Sequence, residues 1–193
     1  MRSPHDPAVE VTLRDGVTVH LRPVQADDAA AVRCLFQELS ETSKRLRLSS
    51  VCPSLDKVVG WATEVDDHRL GLVALAADTG QVIAHAGCER DHRQPDRAEF
   101  ALAIADRYQG RGLGRILLGQ LAEAAHRAGI QTLTGEVLAD NHRMLNLLRH
   151  SGLGMGPQAP SDLWSGAGGA ANLALPRRRP GPSRLNNAAA GGC

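Results

Sequence analysis

Glu99 and the run Gln109-Gly110-Arg111-Gly112-Leu113-Gly114 are the residues whose types and spacing point to chemistry. A carboxylate can accept a proton, and glycines that lead into a helix can hold phosphate. Both lie in one stretch, E-F-A-L-A-I-A-D-R-Y-Q-G-R-G-L-G-R-I-L-L, from Glu99 to Leu118. The first turn of a helix has N–H groups without intrahelical partners, and its dipole favours negative charge. Glycine lets the backbone approach an anion without a Cβ in the way, and Arg111 and Arg115 add donors for charge-assisted hydrogen bonds. Two familiar phosphate loops do not fit. No Lys follows the glycines, as a P-loop requires, and the sixth position of G-x-G-x-x-G is Arg115 counted from Gly110 and Leu117 counted from Gly112. Taken alone, the glycines are equally those of a turn that joins a strand to a helix.

The elements that must position these residues follow from periodicity. Phe100, Leu102 and Ile104 alternate with Ala101, Ala103 and Ala105, which predicts a buried strand. Leu113, Ile116, Leu117, Leu121 and Ala124 recur at helical spacing, and Gly129 predicts the helix end. Upstream, Val9 to Leu13, the Asp15-Gly16 turn and Val17 to Arg22 predict a hairpin. Asp27 is expected to cap a helix with Ala30, Cys34, Leu35 and Leu39 on its apolar face. Ser40 to Arg47 reads as a short charged helix ended by Pro53, and Leu55 to Val65 as another helix. Leu70 to Ala77 and Val82 to Cys88 read as strands, with Glu89 to Arg97 a polar loop. Thr132 to Leu138 is a further strand, and Asp140-Asn141 caps a helix carrying Met144, Leu145, Leu147 and Leu148 that Gly152 closes. This order predicts an α/β (mixed α+β) domain, a mixed sheet with helices on both faces.

Composition narrows the classes. At 193 residues the chain holds one domain plus extensions, and a formal charge of +1 gives no case for nucleic acid. Aromatic residues are only 3%, so Leu, Val, Ile and Ala must build the core. No apolar run is long enough to span a membrane, and the start lacks a signal-peptide core. The four cysteines form no C-x-x-C and the eight histidines no dense ligand cluster. We therefore expect reduced thiols, no metal and a cytoplasmic protein. Beyond Gly152 the chain turns to Gly, Ala, Pro and Arg, and only a weak strand is expected, near Asn172 to Leu175. The expected division is a leader over 1–16, a domain over 17–175 and a disordered Pro/Arg/Ala/Gly-rich tail over 176–193, whose Arg177, Arg178 and Arg179 read as solvated.

Gln109 to Gly114 matches Q-x-x-G-x-G, and with D-G-V-T-V-H-L-R-P before it and G-E-V-L-A-D-N-H-R-M-L after it the chain resembles the GNAT N-acetyltransferase superfamily. The run L-S-E-T-S-K-R-L-R is similar to L-S-x-x-S-x-x-x-R of the bacterial branch that holds the protein lysine acetyltransferases often called Pat. The resemblance implies a mostly antiparallel mixed sheet splayed at its central strand, with acetyl-coenzyme A as cosubstrate and transfer of acetyl to an amine. It implies that Glu99 is the general base, and that the amides of Gln109, Gly110, Arg111, Gly112, Leu113, Gly114 and Arg115 cradle pyrophosphate. It also implies that Ile104 offers its N–H to the thioester carbonyl and that Asn141 touches the cofactor arm. Plainer readings stand beside these: Glu99 as a solvated strand residue, Asn141 as a helix cap, and His85 as a histidine packed in its strand.

The chemistry behind the base is simple. A thioester is already activated, whereas an amine such as lysine is almost fully protonated at neutral pH, so a carboxylate must take its proton. Small Ala101 and Ala103 on the face of Glu99 leave room for an acceptor, and burial is expected to raise the carboxyl's pKa. Two features depart from the family pattern. Leu147 and Leu148 stand where many members have a tyrosine that protonates the thiolate, and the only tyrosine, Tyr108, reads as packing. The closing strands also look degenerate. The acceptor is expected to be a primary amine, such as a protein lysine; a small amine or aminoglycoside, and an acyl-coenzyme A binding module without activity, are the alternatives.

Overall fold

The computed structural model describes residues 8–48, 54–64, 66–155 and 169–175. Eight strands form one sheet: β1 (Val9–Thr12), β2 (Thr18–Pro23), β3 (Arg69–Ala76), β4 (Val82–Arg90), β5 (Arg97–Ile104), β6 (Thr132–Val137), β7 (Gly154–Met155) and β8 (Gly169–Ala174), in the order β1-β2-β3-β4-β5-β6-β8-β7. All neighbours are antiparallel except β5 and β6. Among the described residues five α-helices accompany them: α1 (Ala29–Glu38), α2 (Glu41–Leu48), α3 (Leu55–Thr63), α4 (Leu113–Arg127) and α5 (His142–Arg149). The mixed sheet with helices on both faces is therefore the fold that the sequence implied.

Alternation divides the core between the two faces. Phe100 and its neighbours pack with Leu113, Leu117, Leu118, Leu121, Leu145 and Leu148 of α4 and α5. Ala103 and Val73 point the other way, into Val32, Leu35, Phe36, Val58 and Val59 of α1 and α3. The Asp15-Gly16 hairpin forms as expected, with Gly16 at φ 84° and the Leu13 N–H donating to Val17 O at 2.8 Å. Because Val9–Thr12 pairs with β2, the sheet begins before residue 17, inside what composition marked as a leader.

Four other expectations are corrected. The apolar face of α1 is Val32, Leu35 and Phe36, continued by buried Leu39, while Ala30 and Cys34 are exposed. A 3-10 turn over Ala26–Asp28 precedes the helix, and Asp28, held by both terminal guanidinium nitrogens of Arg22 at 2.7 Å, takes the N-cap position expected of Asp27. The buried face of α4 is turned toward Leu118, Ala122 and Ala125, leaving Ile116 and Ala124 half-buried. Of the closing strands, β7 is two residues long, while β8 is well formed, pairing with β6 over six residues with Ala171 and Leu173 fully buried. Small side chains suffice for this strand, so a Gly/Ala-rich composition concealed it. Expectations for Pro53, Val65 and residues 176–193 lie outside the described residues.

Candidate active site

β5 carries the site because it parts from one neighbour midway. It pairs with β4 along its whole length, from Ala98 to Ile104, but with β6 only from Arg97 to Glu99. Beyond Glu99 the strands diverge, since both twist and only one end is bonded. The Ala105 N–H donates to Ile83 O at 2.8 Å, so alternation turns the N–H and C=O of Ile104 away from β4, into the opening. Phe100 contributes to this geometry. Its ring lies so close to Gly135 of β6 that an added Cβ would stand 2.8 Å from Cε1.

Glu99 stands where the opening starts. It shares a face with Ala101 and Ala103, opposite Glu89 in the β4–β5 register. Glu89 is occupied: Trp61 Nε1 donates to one oxygen at 2.6 Å and Arg69 to the other at 3.0 Å. Glu99 has no hydrogen-bond or ion-pair partner among the described residues and is reached by solvent. Partial burial of its carboxyl raises its pKa, the charges of Glu136 and Glu89 raise it further, and Arg47 works against them.

The glycine run forms a turn into α4. Gly110 and Gly112 adopt φ 78° and 94°, the left-handed region that favours glycine. Among the described residues the N–H groups of Gly110, Arg111, Gly112, Leu113 and Gly114 donate to nothing. The outer two amides of the expected cradle are differently placed. Gln109 N–H turns back to Asp106 O at 3.2 Å, and Arg115 N–H to Gly112 O at 3.1 Å. A Cβ on Gly112 would stand 3.3 Å from Arg14, and one on Gly114 would stand 3.3 Å from Ile104 and from Leu147. Five free donors, two left-handed glycines and close packing behind them fit an anionic pyrophosphate. Arg111 pairs with Asp15 at 2.8 Å and lies over the Tyr108 ring, as does Arg107, so Tyr108 is a packing residue. Arg115 is exposed at the helix start.

The side chain of Gln109 joins three elements. It donates to Ile104 O at 2.9 Å and Ser43 Oγ at 3.1 Å, and accepts from Arg143 of α5. Asp106 completes the brace, accepting from Ser40 N–H at 2.9 Å, Ser40 Oγ at 2.8 Å and Ser43 Oγ at 2.7 Å. Partial burial opposes the ionised form of Asp106, but these donors outweigh it and lower its pKa. Arg45 of α2 reaches Asp140 at 2.6 Å, and Asn141 Oδ1 caps α5 by accepting from Met144 N–H at 3.1 Å. The cap role of Asn141 is thus directly visible. Sequence reasoning missed this brace. The signal was the S-x-x-S spacing of Ser40 and Ser43, which places two hydroxyls on one face of the start of a helix.

A third group lies on the Glu99 face. Arg47, on the last turn of α2, lies over the rings of Trp61 at 5.5 Å and Phe36 at 5.8 Å. Its Nε is buried without a partner, and burial lowers its pKa to about 10 while the nearby Glu99 raises it. His85 is wholly buried beside Trp61, ring centroids 6.1 Å apart, as the packed reading expected. Neither of its ring nitrogens closes a hydrogen bond, although the Ala62 carbonyl lies nearby. Burial, then the charge of Arg47, push its pKa down to about 3, so it is neutral. Leu148 is buried and Leu147 half-buried in the core, so neither offers a proton donor. Among the described residues, no three His, Cys, Asp or Glu side chains are grouped to hold a metal, and no helix is long and apolar enough to cross a membrane.

Comparison with known proteins places this geometry. Residues 29–153 match the model of the acetyltransferase (GNAT) family. The chain is 32% identical over 146 residues to the acetyltransferase Pat of Mycolicibacterium smegmatis, covering 75% of this chain but only 44% of that protein. It is 27% identical over 158 residues to the acetyltransferase PA5475 of Pseudomonas aeruginosa, covering 78% of this chain and 82% of that one. The crystal structure of the GNAT domain of S. lividans PAT superposes with a TM-score of 0.72 at 29% identity, covering 89% of this chain and 98% of that domain.

Proposed function

Because the chain belongs to the acetyltransferase (GNAT) family, we propose that it moves an acetyl group from acetyl-coenzyme A to a primary amine, with Glu99 as general base. The observation that carries the reading is the juxtaposition in β5. An unpaired carboxylate stands where the strand leaves β6, and the same strand leads into five free N–H groups. Acetyl-coenzyme A supplies an acetyl group already activated as a thioester. The N–H groups of Gly110 to Gly114 hold its pyrophosphate, with Arg115 adding charge, while the Ile104 N–H and Asn141 face its arm. Leu113, at the first position of α4, packs into the core and holds the cradle against the sheet.

Glu99 acts on the acceptor. A lysine ammonium of pKa about 10.4 must lose its proton before nitrogen can attack. A carboxylate of raised pKa is a stronger base than an ordinary one, and it can receive that proton directly or through one water. No side-chain acid stands at the register of Leu147, so protonation of the departing thiolate falls to water. The resemblance of L-S-E-T-S-K-R-L-R to the branch of protein lysine acetyltransferases supports a protein lysine as the acceptor. The acetyltransferase domain on this reading runs from Val9 to Leu175.

Release of free coenzyme A thiol, followed alongside the mass gain of lysine peptides, small amines and aminoglycosides, tests the proposal. Amine-dependent thiol release together with an acetylated amine is the expected result. Tight coenzyme A binding with no acetylated product from any amine would instead make the protein a binding module.

A further inference from the structure

The Glu99 face of β4 and β5 has a cation, Arg47, and an anion, Glu99, that interact electrostatically while neither has a hydrogen-bond partner among the described residues. Of its other ionisable groups, Arg97, two residues before Glu99, donates to Gln94 at 3.0 Å. Glu89 is held by Trp61 and Arg69, Asp28 by Arg22, and His85 is neutral. Glu136, further along the same face, is exposed to water. Arg47 differs from all of these. Its Nε is buried and its guanidinium lies near the rings of Phe36 and Trp61, yet it makes no hydrogen bond or ion pair among the described residues. Holding Nε of a cation out of water without a partner is unfavourable, and conversion to the neutral form is closed to arginine at neutral pH. Contact with the two rings holds the guanidinium without using its N–H donors, which lie in its own plane.

Its position is set by the brace. α2 is tied at its start to Asp106, at the cradle end of β5, and carries Arg47 about 10 Å further along its axis, over the strand that bears Glu99. We propose that Arg47 determines acceptor specificity: it binds a carboxylate carried by the acceptor, while Glu99 receives the proton of the acceptor's ammonium. An uncharged acetyl group offers Arg47 nothing, whereas an amine with a carboxylate brings the two charges that complement this pair. The inference rests on the reading of Glu99 as the base. The carboxylate is either the α-carboxylate of a free amino acid or an acidic side chain beside a target lysine.

The test compares matched acceptors with acetyl-coenzyme A: free amino acids against their carboxamides, and lysine peptides with a neighbouring Glu against the same peptides with Gln. The readout is the ratio of kcat/KM within each pair, for the unaltered protein, Arg47→Gln and Arg47→Lys. The acid form is expected to win by about 10- to 100-fold, the range of a charge-assisted hydrogen bond pair, and Arg47→Gln to bring the ratio close to one. Arg47→Lys keeps the charge without the fork and falls between. Amine basicity cannot produce this order, since the amide of an amino acid has the less basic nitrogen and would otherwise react faster. Because each ratio is internal to one protein, partial unfolding of a variant does not mimic the result. Preference confined to one of the two pairs supports the proposal and identifies the source of the carboxylate. Equal rates for acid and amide, or a ratio that persists in Arg47→Gln, overturn it while leaving acetyl transfer intact. Absence of any acetylated product from a protein that binds acetyl-coenzyme A overturns the acetyltransferase reading, and this proposal with it.

Discussion

Gly112→Asp should keep the protein folded and cut its affinity for coenzyme A. Gly112 precedes the first residue of α4 at φ 94°, where a side chain costs about 1–2 kcal/mol, and aspartate tolerates this region better than most. The new Cβ would stand 3.3 Å from Cγ and Nε of Arg14, which is exposed and free to swing away. Against a typical stability of about 5–15 kcal/mol, the fold survives. The cradle does not. Two like charges about 4 Å apart at a surface repel by roughly 4 kcal/mol, and shielding by Arg14 and salt reduces this to about 2 kcal/mol. The expected loss in affinity is therefore on the order of 30-fold. Gly112→Ala, which adds strain but no charge, should lose much less. Calorimetric titration with coenzyme A measures both, and pantetheine, which lacks the pyrophosphate, is the control ligand. Unchanged coenzyme A affinity in folded Gly112→Asp, or an equal loss for pantetheine, would remove the phosphate from this site.

Other expectations follow from the packing and the charges. Leu173→Ala should cost about 2–5 kcal/mol in chemical denaturation, because Leu173 is fully buried and β8 completes the sheet; a near-neutral result would detach β8 from the fold. Asp28→Asn should cost about 3 kcal/mol. Burial opposes the ionised form of Asp28, yet the Arg22 pair and the Gln25 N–H outweigh it and lower its pKa, so the native state binds fewer protons than the unfolded one. That stability is present above the unfolded carboxyl pKa of about 3.8–3.9 and is lost as pH falls through the lower folded value, so the gap between protein and variant should close in acid. Glu99 has the opposite sign: its raised pKa means that ionisation costs stability as pH rises through the window above 4.5. Glu99→Gln should therefore be at least as stable as the unaltered protein at pH 7, with the difference vanishing at low pH.

How far the sequence carried depends on which interactions are local. The hairpin at Asp15-Gly16, the entry into α4 at Gly112 and its exit at Gly129 are settled by backbone preferences a few residues long, and all three were legible. On α1, Leu35 and Leu39 were placed correctly, but Ala30 and Cys34 were taken for Val32 and Phe36, since the helix start depends on a 3-10 turn held by Arg22, six residues from Asp28 and on a strand. Gln109 shows the same limit within the site. Its place in the motif marked the cradle, but its side chain serves Ile104, Ser43 and Arg143 from three separate elements. Arg47 closed a stretch that read only as a short, charge-rich helix. Only the meeting of α2 with Phe36 and Trp61 shows that this one charge is turned inward.

The steady-state rate of Glu99→Gln as a function of pH tests the central claim most directly. The substitution is close to isosteric and lies away from the glycine cradle, so coenzyme A affinity should be unchanged. Turnover should fall by about 10²–10⁴, the usual contribution of a general base. The deficit should narrow as pH rises toward the pKa of the acceptor amine, where nitrogen is already neutral, and should narrow likewise for amines of low pKa. Turnover by Glu99→Gln equal to that of the unaltered protein, or a loss of the same size at every pH and with every amine, would contradict the assignment of Glu99 as the base.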